Sequence, residues 1–238
     1  MPNPVTNVVV AGLGGQGVLK ATDILAGVIL RAGFDVKKSE VHGMAQRGGS
    51  VTSHIRFEPK VYSPLIEEGT ADIIVAFEMM EALRYIHFLR PDGKLIYDTH
   101  RIDPLPVSTG AVERPTDQWL EERIAERFGK TGTVPSENRD ASAASPTQPH
   151  RGSVPHFPGD EPASCEIQGQ TVRVPAFQAA LKLGNARVQN VVMLGAISVS
   201  LEFPEEDYRQ AITRLVKPKV VELNLKAFAE GRALCTSA

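Results

Sequence analysis

Six residues, Gly12-Leu13-Gly14-Gly15-Gln16-Gly17, constrain this chain more than any others. Glycines packed this closely weaken a strand or a helix, because each loses more backbone freedom on folding than any other residue. They suit a tight turn with its main chain exposed. Before them stands Val8-Val9-Val10-Ala11, a β-branched run that reads as a buried strand. After them, Val18, Leu25, Val28 and Ile29 recur at helical spacing within residues 18–30. Strand, glycine turn and helix open a βα unit of the dinucleotide-binding kind, and Gly12, Gly14 and Gly17 satisfy GxGxxG. The expected fold class is α/β, a Rossmann-like three-layer sandwich with a mostly parallel sheet.

The rest of the chain alternates in the same way. Strands are expected at 34–38, 51–57, 71–77 and 94–98. An amphipathic helix at 79–89 is stopped by Pro91, and a charged surface helix spans 116–128. Residues 171–174 predict a last strand, with Pro175 opening a helix to residue 183. Residues 190–201 are apolar around the whole circumference and predict a buried helix. Pro204 and Pro218 open two more helices, the last over 219–234. Between 129 and 169 the composition changes: 6 Pro, 5 Gly, 5 Ser and 3 Thr occur in 41 residues. Such a segment lacks the apolar surface to offset its ordering entropy. It predicts a flexible Pro/Gly/Ser-rich insertion within a single domain spanning 1–238.

A second motif carries more chemistry than the glycine turn. Ser39-Glu40-Val41-His42-Gly43-Met44-Ala45-Gln46-Arg47-Gly48-Gly49-Ser50 sets a carboxylate, an imidazole, an amide, a guanidinium and two hydroxyls beside three glycines. Read as the loop after the second strand, it belongs at the ligand-binding edge of a parallel sheet. The glycine turn itself leaves three readings open: packing of strand on helix, a nicotinamide cofactor, or another phosphate-bearing ligand or partner face. A nicotinamide fold needs an acid at the end of the second strand for the ribose hydroxyls. Asp35 falls inside that strand, and Glu40, the one acid able to serve, sits late.

Charge and cysteine content narrow the function classes. With 26 Lys+Arg against 28 Asp+Glu the formal net charge is −2, which gives no electrostatic reason to expect nucleic acid or an anionic membrane. No apolar run approaches the roughly 20 residues of a membrane span, and residues 1–7 lack the cationic start of a secretion signal, so a cytoplasmic protein is expected. The two cysteines, Cys165 and Cys235, lack CxxC spacing and read as incidental reduced thiols. A cubane iron–sulfur cluster takes four thiolates, so this chain alone cannot hold one. His150, His156 and Cys165 match no ligand spacing, and no metal site is expected. His54 and His87 read as structural, Met79-Met80 as core, and Glu78 and Glu81 as one solvated helix face.

At Gly12-Leu13-Gly14-Gly15-Gln16-Gly17-Val18 and at the 39–50 motif, the sequence resembles the gamma-type domain of 2-oxoacid:ferredoxin oxidoreductases, in particular the beta subunit of the indolepyruvate enzymes. Tyr62-Ser63-Pro64-Leu65-Ile66, Ala76-Phe77-Glu78 and Asn190-Val191-Val192-Met193-Leu194-Gly195-Ala196 extend the match, which covers about 1–128 and 170–234. The departure is the 129–169 insertion. The resemblance implies a smaller subunit beside a large catalytic one carrying thiamine diphosphate, Mg and [4Fe-4S] clusters, in a heterotetramer. It implies oxidative decarboxylation of an arylpyruvate to acyl-CoA, with coenzyme A as co-substrate, electrons passing to ferredoxin, and no cofactor held by this chain alone. On this basis Gly12, Gly14, Gly15, Gln16, Gly17, Ser39, Glu40, His42, Gln46 and Arg47 are the expected cofactor-binding residues. His42 and Arg47 are the catalytic candidates: the backbone N–H groups of Gly14 to Gly17 would face the coenzyme A pyrophosphate, Arg47 a phosphate or the substrate carboxylate, and His42 a proton or a ligand. A free-standing NAD(P)-dependent oxidoreductase and a non-catalytic scaffold subunit are the alternatives.

Overall fold

Successive side chains of a strand point to opposite faces, so a strand apolar at every position needs cover on both. The first strand, β1 (Thr6–Leu13), meets that demand: Val8 and Val10 enter one buried cluster and Val9 enters another. The computed structural model describes residues 5–42, 48–129 and 165–236 of the chain. Its elements after β1 are α1 (Val18–Arg31), β2 (Asp35–His42), β3 (Ser50–Glu58), β4 (Ala71–Ala76), α2 (Met79–Tyr85), β5 (Leu89–Asp98), α3 (Leu105–Ser108) and α4 (Asp117–Gly129). Then follow β6 (Glu166–Gln168), β7 (Thr171–Val174), α5 (Ala176–Lys182), α6 (Gln189–Ser198), α7 (Glu205–Leu215) and α8 (Val221–Thr236).

The seven strands form one sheet in the order β2-β3-β1-β4-β5-β7-β6. β1, β4, β5 and β7 pair in parallel, and β3 runs against both its neighbours, which turns β2 parallel to β1. β3 and β6 therefore run against the other five. The larger cluster packs α1, α5, α6, α7 and α8 on one face, and Met79, Ala82, Leu120 and Ile124 of α2 and α4 cover the other. The expected α/β three-layer sandwich with a mostly parallel sheet is what forms. No helix among the described residues is long and apolar enough to cross a membrane.

Several expected boundaries move, each for a physical reason. β2 does not end at residue 38 but runs on to His42, because 35–42 pairs along its length with β3, from Asp35↔Glu58 to His42↔Val51. The first residues of the expected loop, Ser39 to His42, are thus strand. The helix expected over 79–89 ends at Tyr85 with a 3-10 turn at Ile86–Phe88, and Leu89 already belongs to β5. Pro91 is tolerated there because the pairing jumps from Ala71↔Leu89 to Ile73↔Lys94, so the proline owes the ladder no N–H. The charged helix α4 is not wholly a surface element, since Leu120 and Ile124, four apart, are buried against α2. Of the expected insertion, Glu166–Gln168 forms the edge strand β6 and Cys165 is buried; residues 130–164 lie outside the described residues. The buried helix expected over 190–201 forms over Gln189–Ser198 with all ten residues buried, and it stops three residues early, where Val199 turns out to solvent.

α6 and α8 approach closely. A Cβ at Gly231 would stand 1.9 Å from the Val192 carbonyl oxygen, and one at Gly195 2.3 Å from that of Phe228. Only glycine fits at either place. That contact seats α6 against the sheet, with its N-terminus directed at the end of β1.

Candidate functional site

From β1 the chain crosses through α1 on one face; from β4 it crosses through α2 on the other. The carboxyl ends of these adjacent parallel strands therefore form a topological switch point, where crossovers part and leave a crevice. The glycine turn fills one side of it and Phe77-Glu78 the other.

Gln16 joins the two sides. Its side-chain oxygen accepts from Leu13 N at 2.7 Å, and its amide donates to the Phe77 carbonyl at 2.9 Å. Gln189, at the start of α6, donates to that same carbonyl at 2.9 Å and to Asp98 Oδ2 at 2.7 Å. Asp98, fully buried at the end of β5, also accepts from Phe177 N and His100 N, each at 3.0 Å. Asn190 donates to Gly17 O at 3.2 Å. One polar column thus spans β1, β4 and β5, and every buried member has a partner, as such groups require.

The glycines divide their tasks. Gly12 is buried, and a Cβ there would meet Val18, Gln16 and Phe77 at 2.7–3.0 Å, so it lets the turn pack on β4. Gly15 and Gly17 have φ of 106° and 80°, the left-handed region open to glycine, and Gly17 caps α1. Gly14 donates to Gly49 O at 2.8 Å and accepts from Gly48 N at 3.1 Å. The turn and the end of the 39–50 motif are thereby locked together. Gln16 N is also spent, on Leu13 O at 3.1 Å. Within the Gly14–Gly17 group, and among the described residues, this leaves the N–H groups of Gly15 and Gly17 at the positive end of α1.

The 39–50 motif is placed in part. Ser39 pairs with His54 and Glu40 with Ser53 across β2 and β3, and Glu40 is ion-paired with Lys38, which also holds Asp23 of α1. Because β3 lies between β1 and β2, Glu40 stands two strands, about 10 Å, from the glycine strand. His42 ends β2, paired with Val51. Gln46 and Arg47 lie outside the described residues.

Sequence reasoning missed the acids beside the turn. Glu78 and Glu81, expected on a solvated face, are each only 1% exposed. Glu78 caps α2, its two oxygens accepting from Glu81 N and Ile102 N at 3.0 Å. Burial pushes its carboxyl up to about 7. Glu81 accepts from Arg84 Nε at 2.9 Å and from the Ser50 hydroxyl, whose oxygen is hydrogen-bonded to the Tyr85 hydroxyl at 2.9 Å. Since Ser50 pairs with Leu13, this network abuts both motifs. The signal available was position: Glu78 follows a buried strand directly, where a chain enters a crevice. His54 is half-buried and its Nδ1 accepts from Ile66 N at 3.3 Å, with burial lowering its pKa; His87 is exposed. Among the described residues no group of three His, Cys, Asp or Glu is placed to hold a metal ion.

Residues 7–234 match the family model described as pyruvate ferredoxin/flavodoxin oxidoreductase. Over 227 residues the chain is 34% identical to the indolepyruvate oxidoreductase subunit IorB of Thermococcus kodakarensis and 36% identical to that of Archaeoglobus fulgidus. Those alignments cover 94% of this chain and 93% and 92% of the relatives. Among solved structures, the fold is similar to pyruvate oxidoreductase subunit PORC of Thermotoga maritima, with a TM-score of 0.61 at 18% identity over 98% of this chain and 97% of that one. It is also similar to the 2-oxoglutarate:ferredoxin oxidoreductase of Magnetococcus marinus with 2-oxoglutarate, coenzyme A and succinyl-CoA bound, at TM-score 0.64 and 20% identity, covering 99% of this chain and 32% of that one. With the family model matched over residues 7–234 and relatives 34% and 36% identical along 94% of the chain, this protein belongs to the pyruvate ferredoxin/flavodoxin oxidoreductase family.

Proposed function

We propose that this chain is the smaller subunit of an indolepyruvate-type (arylpyruvate) ferredoxin oxidoreductase and closes over the reacting centre of a large partner chain. In this reading a cytoplasmic heterotetramer converts 2-oxoacids to acyl-CoA and passes the electrons to ferredoxin. Thiamine diphosphate and Mg, held by the partner, supply the electron sink that loss of carbon dioxide requires. The donor set of this chain suits that division: its two cysteines fall short of the four thiolates of one [4Fe-4S] cluster, so the clusters belong to the partner.

The observation that carries the reading is the lock between Gly14 and Gly48-Gly49, which brings both motifs to one edge. There the N–H groups of Gly15 and Gly17 bind the coenzyme A pyrophosphate at the N-terminus of α1. Coenzyme A in the Magnetococcus marinus protein supports that ligand class. Ser39, Glu40 and Gln46 contribute polar contacts from β2 and the stretch that follows it, with Ser39 and Glu40 two strands away from the glycine strand. Arg47 pairs with a phosphate or with the substrate carboxylate, where its planar fork binds two oxygens at once. His42 moves a proton or orients the ligand. A nicotinamide cofactor is disfavoured, because Glu40 is ion-paired with Lys38 on a strand not adjacent to β1.

Native mass spectrometry of the chain purified anaerobically from its own host tests the reading. The expected result is a complex with a large chain bearing iron and thiamine diphosphate. In that complex Arg47→Ala is expected to weaken coenzyme A binding or turnover at least tenfold, or about 1.4 kcal/mol. A homo-oligomer carrying a nicotinamide nucleotide would overturn it, and an Arg47→Ala enzyme of full activity and affinity would remove that residue's role.

A further inference from the structure

The chain has two cysteines in all, 70 positions apart in sequence. They read as incidental, yet the fold sets their sulfurs 3.1 Å apart, with both side chains buried. Cys165 leads into β6, at one edge of the sheet, and Cys235 lies in the last turn of α8. A buried free cysteine packs as a small hydrophobe, and that role never requires a second sulfur as its neighbour.

We propose that Cys165 and Cys235 form a redox-active dithiol, which a peroxide-class oxidant closes into a disulfide that clamps the C-terminal helix to the sheet edge. Cys235 is the attacking sulfur. The hydrogen bond donated by Cys165 holds its thiol below the ordinary range, aided by the Lys94 charge, and the thiolate is the nucleophile. The same hydrogen bond, with burial, pushes Cys165 up, which suits the partner that keeps its proton until the second step. The end of a helix frays most readily, so the last turn of α8 gives a small oxidant its path.

In the first step the Cys235 thiolate attacks one oxygen of hydrogen peroxide; an S–O bond forms, the O–O bond breaks and hydroxide leaves, giving a sulfenic acid. That hydroxide takes the Cys165 proton. The Cys165 sulfur then attacks the sulfenic sulfur, the S–S bond forms, the S–O bond breaks, and the oxygen leaves as water after taking up a proton. Two thiols lose two electrons and two protons, and one peroxide becomes two waters. The clamp acts beyond its own site, because α8 packs through Gly231 on α6, whose Asn190 bonds Gly17 of the glycine turn and whose Gln189 shares the Phe77 carbonyl with Gln16.

The test uses the full chain, reduced without oxygen and treated with one equivalent of hydrogen peroxide. Remaining thiols are then blocked with maleimide in denaturant and the intact mass is read. Both thiols are expected to disappear together, with a fall of about 2 Da per chain and full recovery on adding dithiothreitol. Closure is expected to run at least about tenfold faster in the folded chain than in guanidinium chloride, since only the fold holds the sulfurs in contact. In Cys165→Ser, Cys235 is expected to stop at a sulfenic acid that dimedone traps. Thiols that both survive, disulfides formed mainly between chains, or closure no faster folded than unfolded would each overturn the proposal. If Cys165→Ser does not fold, the rate comparison on the natural chain decides alone.

Discussion

At Glu78 the chain buries a carboxyl whose oxygens accept main-chain N–H groups, from Met80, Glu81 and Ile102, and among the described residues no cation stands against it. Burial raises its pKa from about 4.5 to about 7, so between these values the folded protein keeps a proton that the unfolded chain has released. Stability from this group is therefore fully present below pH 4.5 and falls as pH rises to about 7, by on the order of 3 kcal/mol. Glu78→Gln cannot titrate, and urea midpoints measured from pH 4.5 to 7.5 are expected to show a flatter profile for it than for the natural protein. Parallel profiles would mean that Glu78 ionises in the fold as it does in water. This site was illegible in the sequence, where Glu78 and Glu81 looked like neighbours on an amphipathic surface. α2 is only seven residues long and starts where β4 ends, so both acids are drawn into the sheet edge. The glycines were legible because their message is local: Gly15 and Gly17 report their own backbone conformation, whatever packs around them.

Elements with strong apolar patterns were legible for the same reason, and those whose state depends on a neighbour were not. α1, β3, β4, β7 and α6 fall where period and composition place them. β2 was cut short because an edge strand with one open face carries polar residues as a loop does, and only its pairing with β3 tells them apart. The contact between α6 and α8 was likewise hidden, since Gly195 and Gly231 are nearly forty positions apart and neither marks a turn. That contact is exacting. Gly231→Ala would drive a methyl group into the Val192 carbonyl, and forcing the helices apart is expected to cost about 3 kcal/mol, read as a lower denaturant midpoint. A loss below about 0.5 kcal/mol would show that α8 slides to accept it.

For the whole molecule, the sheet's mostly parallel character followed from alternating strands and helices, but the strand order did not, because nothing in the sequence of β3 announces that it lies between β1 and β2. The order has a functional corollary. Gly48 and Gly49, which follow the 43–47 stretch, are bonded to Gly14 of the glycine turn, and the described pairing of β2 with β3 runs over 35–42 and 51–58. Replacing residues 43–47 by a Gly/Ser stretch of equal length is thus expected to change unfolding free energy by no more than about 1 kcal/mol. Turnover of the assembled enzyme should nevertheless fall at least a hundredfold. Assembly with full turnover would instead favour a scaffold role. The same strand order also bears on time. β2 and β3 are neighbours in sequence and close as a hairpin, an event of microseconds, whereas β1 meets β3 only after a loop of nearly forty residues has shut. The wall of the crevice is therefore assembled from an early piece and a late one. While the late pairing is open, β1 offers an unpaired edge, and a newly made chain is most exposed to aggregation or to a chaperone in that interval.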